Sequence, residues 1–182
     1  MDSNHNRKIG LPALTGGNPK ILILGSLPSD QSIARQEYYG NPRNLFWKVM
    51  AGVFDDPVPE PYSLKKEYLF RHDVALWDVF ASAEREGSLD ANIREMAYND
   101  IAGFLKEHPS IKVIALNGGK ASNAFHKMQK HCLDAFESVA VLPMTSTSAL
   151  SLSAGWPLKR IIEQWKPLVS TKNLDGYIKF NN

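Results

Sequence analysis

Tyr38-Tyr39-Gly40-Asn41-Pro42-Arg43-Asn44 gathers two aromatic hydroxyls, two carboxamides and a guanidinium in one short stretch. Rings of this kind stack on a flat heterocycle, and amide and guanidinium groups hold its edges by hydrogen bonds. Just upstream, the apolar run Ile21-Leu22-Ile23-Leu24 gives way to Gly25-Ser26-Leu27-Pro28-Ser29-Asp30, small and polar residues that let the backbone approach a ligand closely. A short apolar run bounded by glycine reads as a fully buried parallel strand. In open α/β sheets ligands sit beyond the carboxyl ends of such strands, so both segments belong to one mouth. Later in the chain Gly118-Gly119-Lys120 offers a helix N-terminus suited to a phosphate. It is not a P-loop, because the G-x-x-x-x-G-K-[ST] spacing is absent.

These side chains need a frame. Apolar spacing predicts a helix over residues 44–54, stopped by Asp55-Asp56-Pro57-Val58-Pro59-Glu60-Pro61, whose prolines cannot continue it. Ser63 caps a short helix through Phe70, and residues 73–79 read as a second strand. Residues 81–89 read as irregular and polar. Residues 93–108 read as a helix with Ile93, Met96, Ala97, Ile101, Phe104 and Leu105 on its inner side, ended by Pro109. Residues 112–117 form a third strand, followed by a helix over 120–131, and residues 138–143 form a fourth strand. A Ser/Thr loop, 144–153, leads to a last helix over 156–165. Strand–helix alternation of this kind predicts a parallel sheet with helices on both faces. Residues 1–19 read as a flexible lead-in, 20–168 as the functional domain and 169–182 as a peripheral tail.

A chain of 182 residues, 43% hydrophobic and 22% charged, has the make-up of one globular domain with a substantial core. A net charge of +2 neither implies nor excludes nucleic acid, so any basic face is local. The single cysteine, Cys132, excludes an internal disulfide and fits a reducing compartment. Apart from His126 and His131 flanking Cys132, read as a helix surface and its end, the histidines lack ligand spacing, and no metal is expected. With no apolar run of membrane-spanning length and no apolar signal core, a cytoplasmic location is expected.

Gly25-Ser26-Leu27-Pro28-Ser29, followed by Tyr38-Tyr39-Gly40-Asn41-Pro42-Arg43-Asn44-Leu45-Phe46-Trp47, resembles the first motif of the uracil-DNA glycosylase superfamily, above all its hypoxanthine-DNA (deoxyinosine) branch. Leu76-Trp77-Asp78-Val79, Arg85-Glu86-Gly87-Ser88-Leu89-Asp90 and Asn117-Gly118-Gly119-Lys120 extend the likeness to about residues 10–168. The resemblance implies a three-layer αβα sandwich around a four-stranded parallel sheet. It also implies a monofunctional DNA glycosylase of base excision repair. Such an enzyme hydrolyses the N-glycosidic bond of a flipped deaminated base, hypoxanthine favoured, and leaves an abasic site. Its partner is double-stranded DNA carrying the damaged base, with no cofactor, no obligate protein partner and a monomeric chain. Uracil or xanthine excision, and a non-catalytic αβα nucleic-acid-binding module, are the alternative readings.

Under this resemblance Tyr39 matches the stacking aromatic, against the alternative of a core tyrosine with a satisfied hydroxyl. Asn44 and Asn41 are the candidates to orient the attacking water, with Asn44 favoured: Asn44 occupies a position shared with the uracil enzymes, Asn41 one where those enzymes often carry histidine. Helix capping competes for them. Leu27 stands where the mismatch-specific relatives hold water with asparagine, and cannot do so. Amides around Gly25, Ser26 and Ser29 can donate to the base. Asp78 belongs at the pocket rim, and Asp30, Asp73 and Asp78 are alternatives for activating water. The loop Leu142-Pro143-Met144-Thr145-Ser146-Thr147-Ser148-Ala149-Leu150-Ser151 departs from the Leu-Pro-Ser-Thr-Ser-Pro-Ala of the hypoxanthine branch. Ser146, Thr147 and Ser148, with Gly119 and Lys120, are the expected DNA contacts. Leu150 resembles the wedge that fills the gap left by a flipped base.

Overall fold

Alternate side chains of a buried strand point to opposite faces, so a strand that is apolar throughout must be covered on both. The computed structural model, which describes residues 7–171, meets that demand. Four parallel strands, β2 (Ile21–Gly25), β3 (Val74–Asp78), β6 (Val113–Asn117) and β7 (Ala140–Met144), lie in the order β3-β2-β6-β7. Ile21 and Ile23 enter one core with Leu76, Val113 and Ala115, under α2 (Phe46–Phe54), α3 (Tyr62–Arg71), α7 (Leu158–Trp165) and α8 (Pro167–Thr171). Leu22 and Leu24 enter the other with Ala75, Ile114 and Leu116, under α4 (Ile101–Glu107) and α5 (Gly119–Gln129). Every side chain of β2 is fully buried, and each such Leu or Ile contributes roughly 1.5–3 kcal/mol relative to exposure. The three-layer αβα architecture with a four-stranded parallel sheet is therefore the observed one. Two short helices, α1 (Asp30–Arg35) and α6 (Leu150–Ser153), flank the mouth. No helix among the described residues is long and apolar enough to cross a membrane.

A second, antiparallel sheet departs from the sequence reading. Residues 7–15 are not a loose lead-in: β1 (Arg7–Ile9) pairs with β4 (Phe80–Glu84), and Leu14 bridges to Leu76. Tyr38 fastens this segment, its hydroxyl donating to the carbonyls of Leu11 (3.3 Å) and Pro12 (3.1 Å). The stretch expected to be irregular contains β4, and the first half of the expected helix over 93–108 is β5 (Arg94–Tyr98), paired with β4. Met96 and Tyr98 are correspondingly exposed. The helix starts only at Ile101, because Asp100 caps it by accepting from Gly103 N at 2.8 Å. Residues 172–182, most of the expected tail, lie outside the described residues.

Candidate active site

Parallel register brings the strand ends level. Gly25 pairs with Asp78 on one side of β2, and Asn117 pairs with Met144 at the far side of the sheet. Beyond these ends lies a cleft of about 400 Å³ lined by Gly25, Ser26, Tyr39, Asn41, Asn44, Asp78 and Asn117, with Ser146–Leu150 across it. Gly25 has to be glycine, since a Cβ there would collide with Asp78 Oδ1; Tyr39 Oη lies 3.8 Å from the same point. Acid and aromatic hydroxyl thus share the cleft floor.

Tyr39 is held rigidly. Its ring stacks on Phe46, the first residue of α2, with centroids 3.7 Å apart and planes 10° from parallel. Its hydroxyl accepts from Asn117 Nδ2 at 2.9 Å. Its φ of 54° puts a bulky residue in the left-handed region, a strain of about 1–3 kcal/mol that the surrounding contacts must offset. Burial, then the Asp78 charge, raises its pKa well above the ordinary tyrosine value, so the ring is neutral.

The two asparagines differ in what they have left to offer. Asn44 Oδ1 accepts from Phe46 N and from Thr147 Oγ1, both at 2.9 Å. A carboxamide oxygen accepts two bonds, so this one is filled and the amide NH₂ is the group it can present to a ligand. Asn41 Oδ1 accepts one, from Arg43 N at 2.9 Å, and keeps a second lone pair. In both cases a backbone N–H donor fixes which end is oxygen. Hydrogen-bond accounting therefore runs against the order expected from the motif and favours Asn41 over Asn44 as an acceptor for water.

Asn117, absent from the residues singled out for chemistry, ties the site together. Its Nδ2 donates to Tyr39 Oη and to Thr147 Oγ1 (both 2.9 Å), and its Oδ1 accepts from Thr147 N at 2.9 Å. Its sequence signal was its place at the end of a strand level with Gly25. Thr147, expected against DNA, is instead fully buried, with its hydroxyl and both backbone groups committed inside the protein. Ser146, Ser148 and Leu150 do line the mouth, and Leu150 is 60% exposed. Gly119 and Lys120 do not line the cleft: they open α5, and Lys120 lines a separate groove with Met96, Tyr98 and Lys127.

Ser29 lines the cleft but spends its hydroxyl on capping α1, accepting from Ser32 N at 3.2 Å. The cap is thus Ser29 itself, with Asp30 in the first turn. Ser26 Oγ donates to Asp90 Oδ1 at 2.5 Å. Arg85 is 1% exposed and runs beneath the loop after β2. Its guanidinium donates to the carbonyls of Gly87 (2.9 Å), Leu27 (3.3 Å) and Pro28, and lies 3.7 Å from Asp30. Asp73 is remote from the mouth, at the start of β3. Asp78 is 5% exposed, and its Oδ2 meets no hydrogen-bond partner among the described residues. Burial first, and Asp90 second, push its pKa up to about 7 against the pull of Arg85.

Residues 12–166 match the family described as the uracil DNA glycosylase superfamily. A hypoxanthine DNA glycosylase of Methanosarcina acetivorans is 43% identical over 115 residues, 63% of this chain and 73% of that protein. A protein of the same name from Methanosarcina barkeri is 36% identical over 116 residues, again 63% and 73%. A solution NMR structure from Methanosarcina acetivorans, provisionally described as a uracil DNA glycosylase, superposes with a TM-score of 0.77 at 32% identity, covering 91% of this chain and 98% of that one.

Proposed function

The chain belongs to the uracil DNA glycosylase superfamily and is a DNA glycosylase acting on deaminated bases, and from that premise we propose that hypoxanthine in double-stranded DNA is its main substrate. The observation that carries this reading is the rigid Tyr39 plate at the mouth of the sheet, backed by Phe46 and flanked by two asparagines. Rotating a nucleotide out of the duplex costs a few kcal/mol, and stacking on an aromatic returns roughly 1–3 kcal/mol. Leu150, exposed across the cleft from Tyr39, suits the space the base vacates.

Once the base is seated, cleavage puts positive charge on the sugar and electrons on the departing ring. In this reading Asn41 Oδ1 orients the water at the anomeric carbon, while the Asn44 amide donates to the base edge. Water needs only to be positioned, since the leaving base draws most of the bonding electrons. No lysine lines the cleft for Schiff-base chemistry among the described residues, so in this reading the product is a free base and an abasic site. The working unit is residues 20–168 braced by β1, acting as a monomer on damaged duplex, and its single cysteine suits the reducing cytoplasm.

The test is a gel assay on labelled duplexes carrying one inosine, uracil or xanthine, followed by alkali cleavage. Strand scission strongest at inosine is expected. Scission strongest at uracil would replace hypoxanthine as the substrate, and binding without scission at any lesion would overturn the catalytic reading.

A further inference from the structure

We propose that Asp78 is a catalytic acid: it meets the substrate as a neutral carboxyl group and gives its proton to a ring nitrogen of the departing purine. The proposal rests on the hypoxanthine reading above and extends it to the origin of purine preference.

Its basis is where the carboxyl lies. Asp78 ends β3 against Gly25, whose missing side chain leaves room for the carboxyl beside Tyr39 on the cleft floor. It is 5% exposed, and Oδ2 is enclosed with no donor among the described residues. With one of its two oxygens cut off from solvent and from any donor, the carboxyl is poorly placed to hold a charge, and it takes up a proton instead. The charged and titratable groups that face it are Asp90, Arg85, Tyr38 and Tyr39. Asp90 adds a second negative charge. Arg85 is the one cation among these groups, and three of its five donors go to the carbonyls of Gly87, Leu27 and Pro28. Both tyrosines stay neutral, their pKa values raised by burial. The Asp78 proton is consequently retained up to about pH 7.

The step balances as follows. The Asp78 O–H bond breaks and its proton joins the lone pair on N3 or N7 of the flipped hypoxanthine. The N9–C1′ bond breaks with its electron pair going to the purine, which leaves neutral. The water oxygen bonds to C1′ and its spare proton goes to solvent, and Asp78 is reprotonated from solvent when the base departs. Uracil has no comparable basic ring nitrogen, so the same acid does less for it. A protonated carboxyl in the floor therefore favours purines.

The experiment has two arms on the full chain. Carbon-13 NMR of the Asp78 carboxyl, assigned by difference against Asp78→Asn, should show it neutral at pH 6 and titrating near 7. Single-turnover release of hypoxanthine should be level below pH 7 and fall about tenfold per pH unit above it. Asp78→Asn, which keeps the shape and a donor but has no transferable proton, should lose about 10²–10⁴-fold in release. Affinity for a duplex with a non-cleavable 2′-fluoro-inosine, measured on both proteins, separates lost binding from lost proton transfer, and a loss of release no larger than the loss of affinity overturns the proposal. Of the 3-deaza and 7-deaza analogues, the one lacking the protonated nitrogen should resist excision. A carboxyl titrating near 4 overturns the proposal whatever the activity. Equal release by the variant, or both analogues cleaved like hypoxanthine, overturns it too. Absence of hypoxanthine release from the unaltered enzyme at every pH, with the carboxyl neutral, instead refutes the substrate reading.

Discussion

At the scale of single residues, Asn41 and Asn44 separate by the hydrogen bonds each would leave behind. Asn41→Ala removes one local bond to Arg43 N, so stability should fall by about 1 kcal/mol while single-turnover base release falls about 10²-fold. Asn44→Ala strands the Thr147 hydroxyl and Phe46 N, and should cost about 1–3 kcal/mol in urea unfolding besides losing activity. Full activity in both variants would remove the asparagines from the mechanism. Asp78 makes the opposite trade. Its folded pKa of about 7 lies above the usual 3.8, so the folded state holds this proton more tightly than the unfolded chain. Its contribution to stability is greatest below 3.8 and is lost as pH rises through about 7, a cost on the order of 4 kcal/mol. Asp78→Asn should therefore be more stable than the parent at pH 8, with the difference shrinking towards pH 4. Urea unfolding at pH 5 and 8 measures this, and a pH-independent difference would contradict the assignment.

At the scale of elements, the β2–α1 loop anchors one side chain, Leu27, in the core, and its backbone carbonyls depend on a guanidinium. Arg85→Met should leave the Leu27 and Pro28 carbonyls unpaired in a buried place and cost on the order of 3 kcal/mol. Hydrogen exchange should rise first in residues 25–30; a variant as stable as the parent would show that the loop holds itself. The short helix α6 is the contrasting case. Leu150 is 60% exposed, so Leu150→Ala should leave the melting temperature within about 1 °C yet slow excision from duplex far more than from single-stranded DNA, where no stack must be held open. Equal slowing on both substrates would place Leu150 in the pocket rather than in the gap.

At the scale of the whole molecule, a net charge of +2 gives little long-range attraction to DNA, so binding depends on a few local cations. Arg43→Gln and Lys120→Gln should each flatten the plot of log affinity against log salt by about one, equally on damaged and intact duplex. An unchanged slope would move the phosphate contacts elsewhere. Much of the fold was legible in the linear chain, because a strand buried on both faces must be apolar throughout and Ile21–Leu24 and Val113–Leu116 carry that signal locally. Tyr39, Asn41 and Asn44 were legible for a similar reason, being clustered in a short motif. The sheet of β1, β4 and β5 was not, since Phe80–Glu84 mixes one aromatic with small and polar side chains of low strand preference, and becomes a strand only when distant segments pair with it. Nor was the role of Asn117, which meets Tyr39 across 78 residues, or that of Thr147, which meets Asn44 across 103. Apolar periodicity is a local property and survives in one dimension. Which lone pairs are filled, and whether Asp78 keeps its proton, depend on what long-range packing brings within 3 Å.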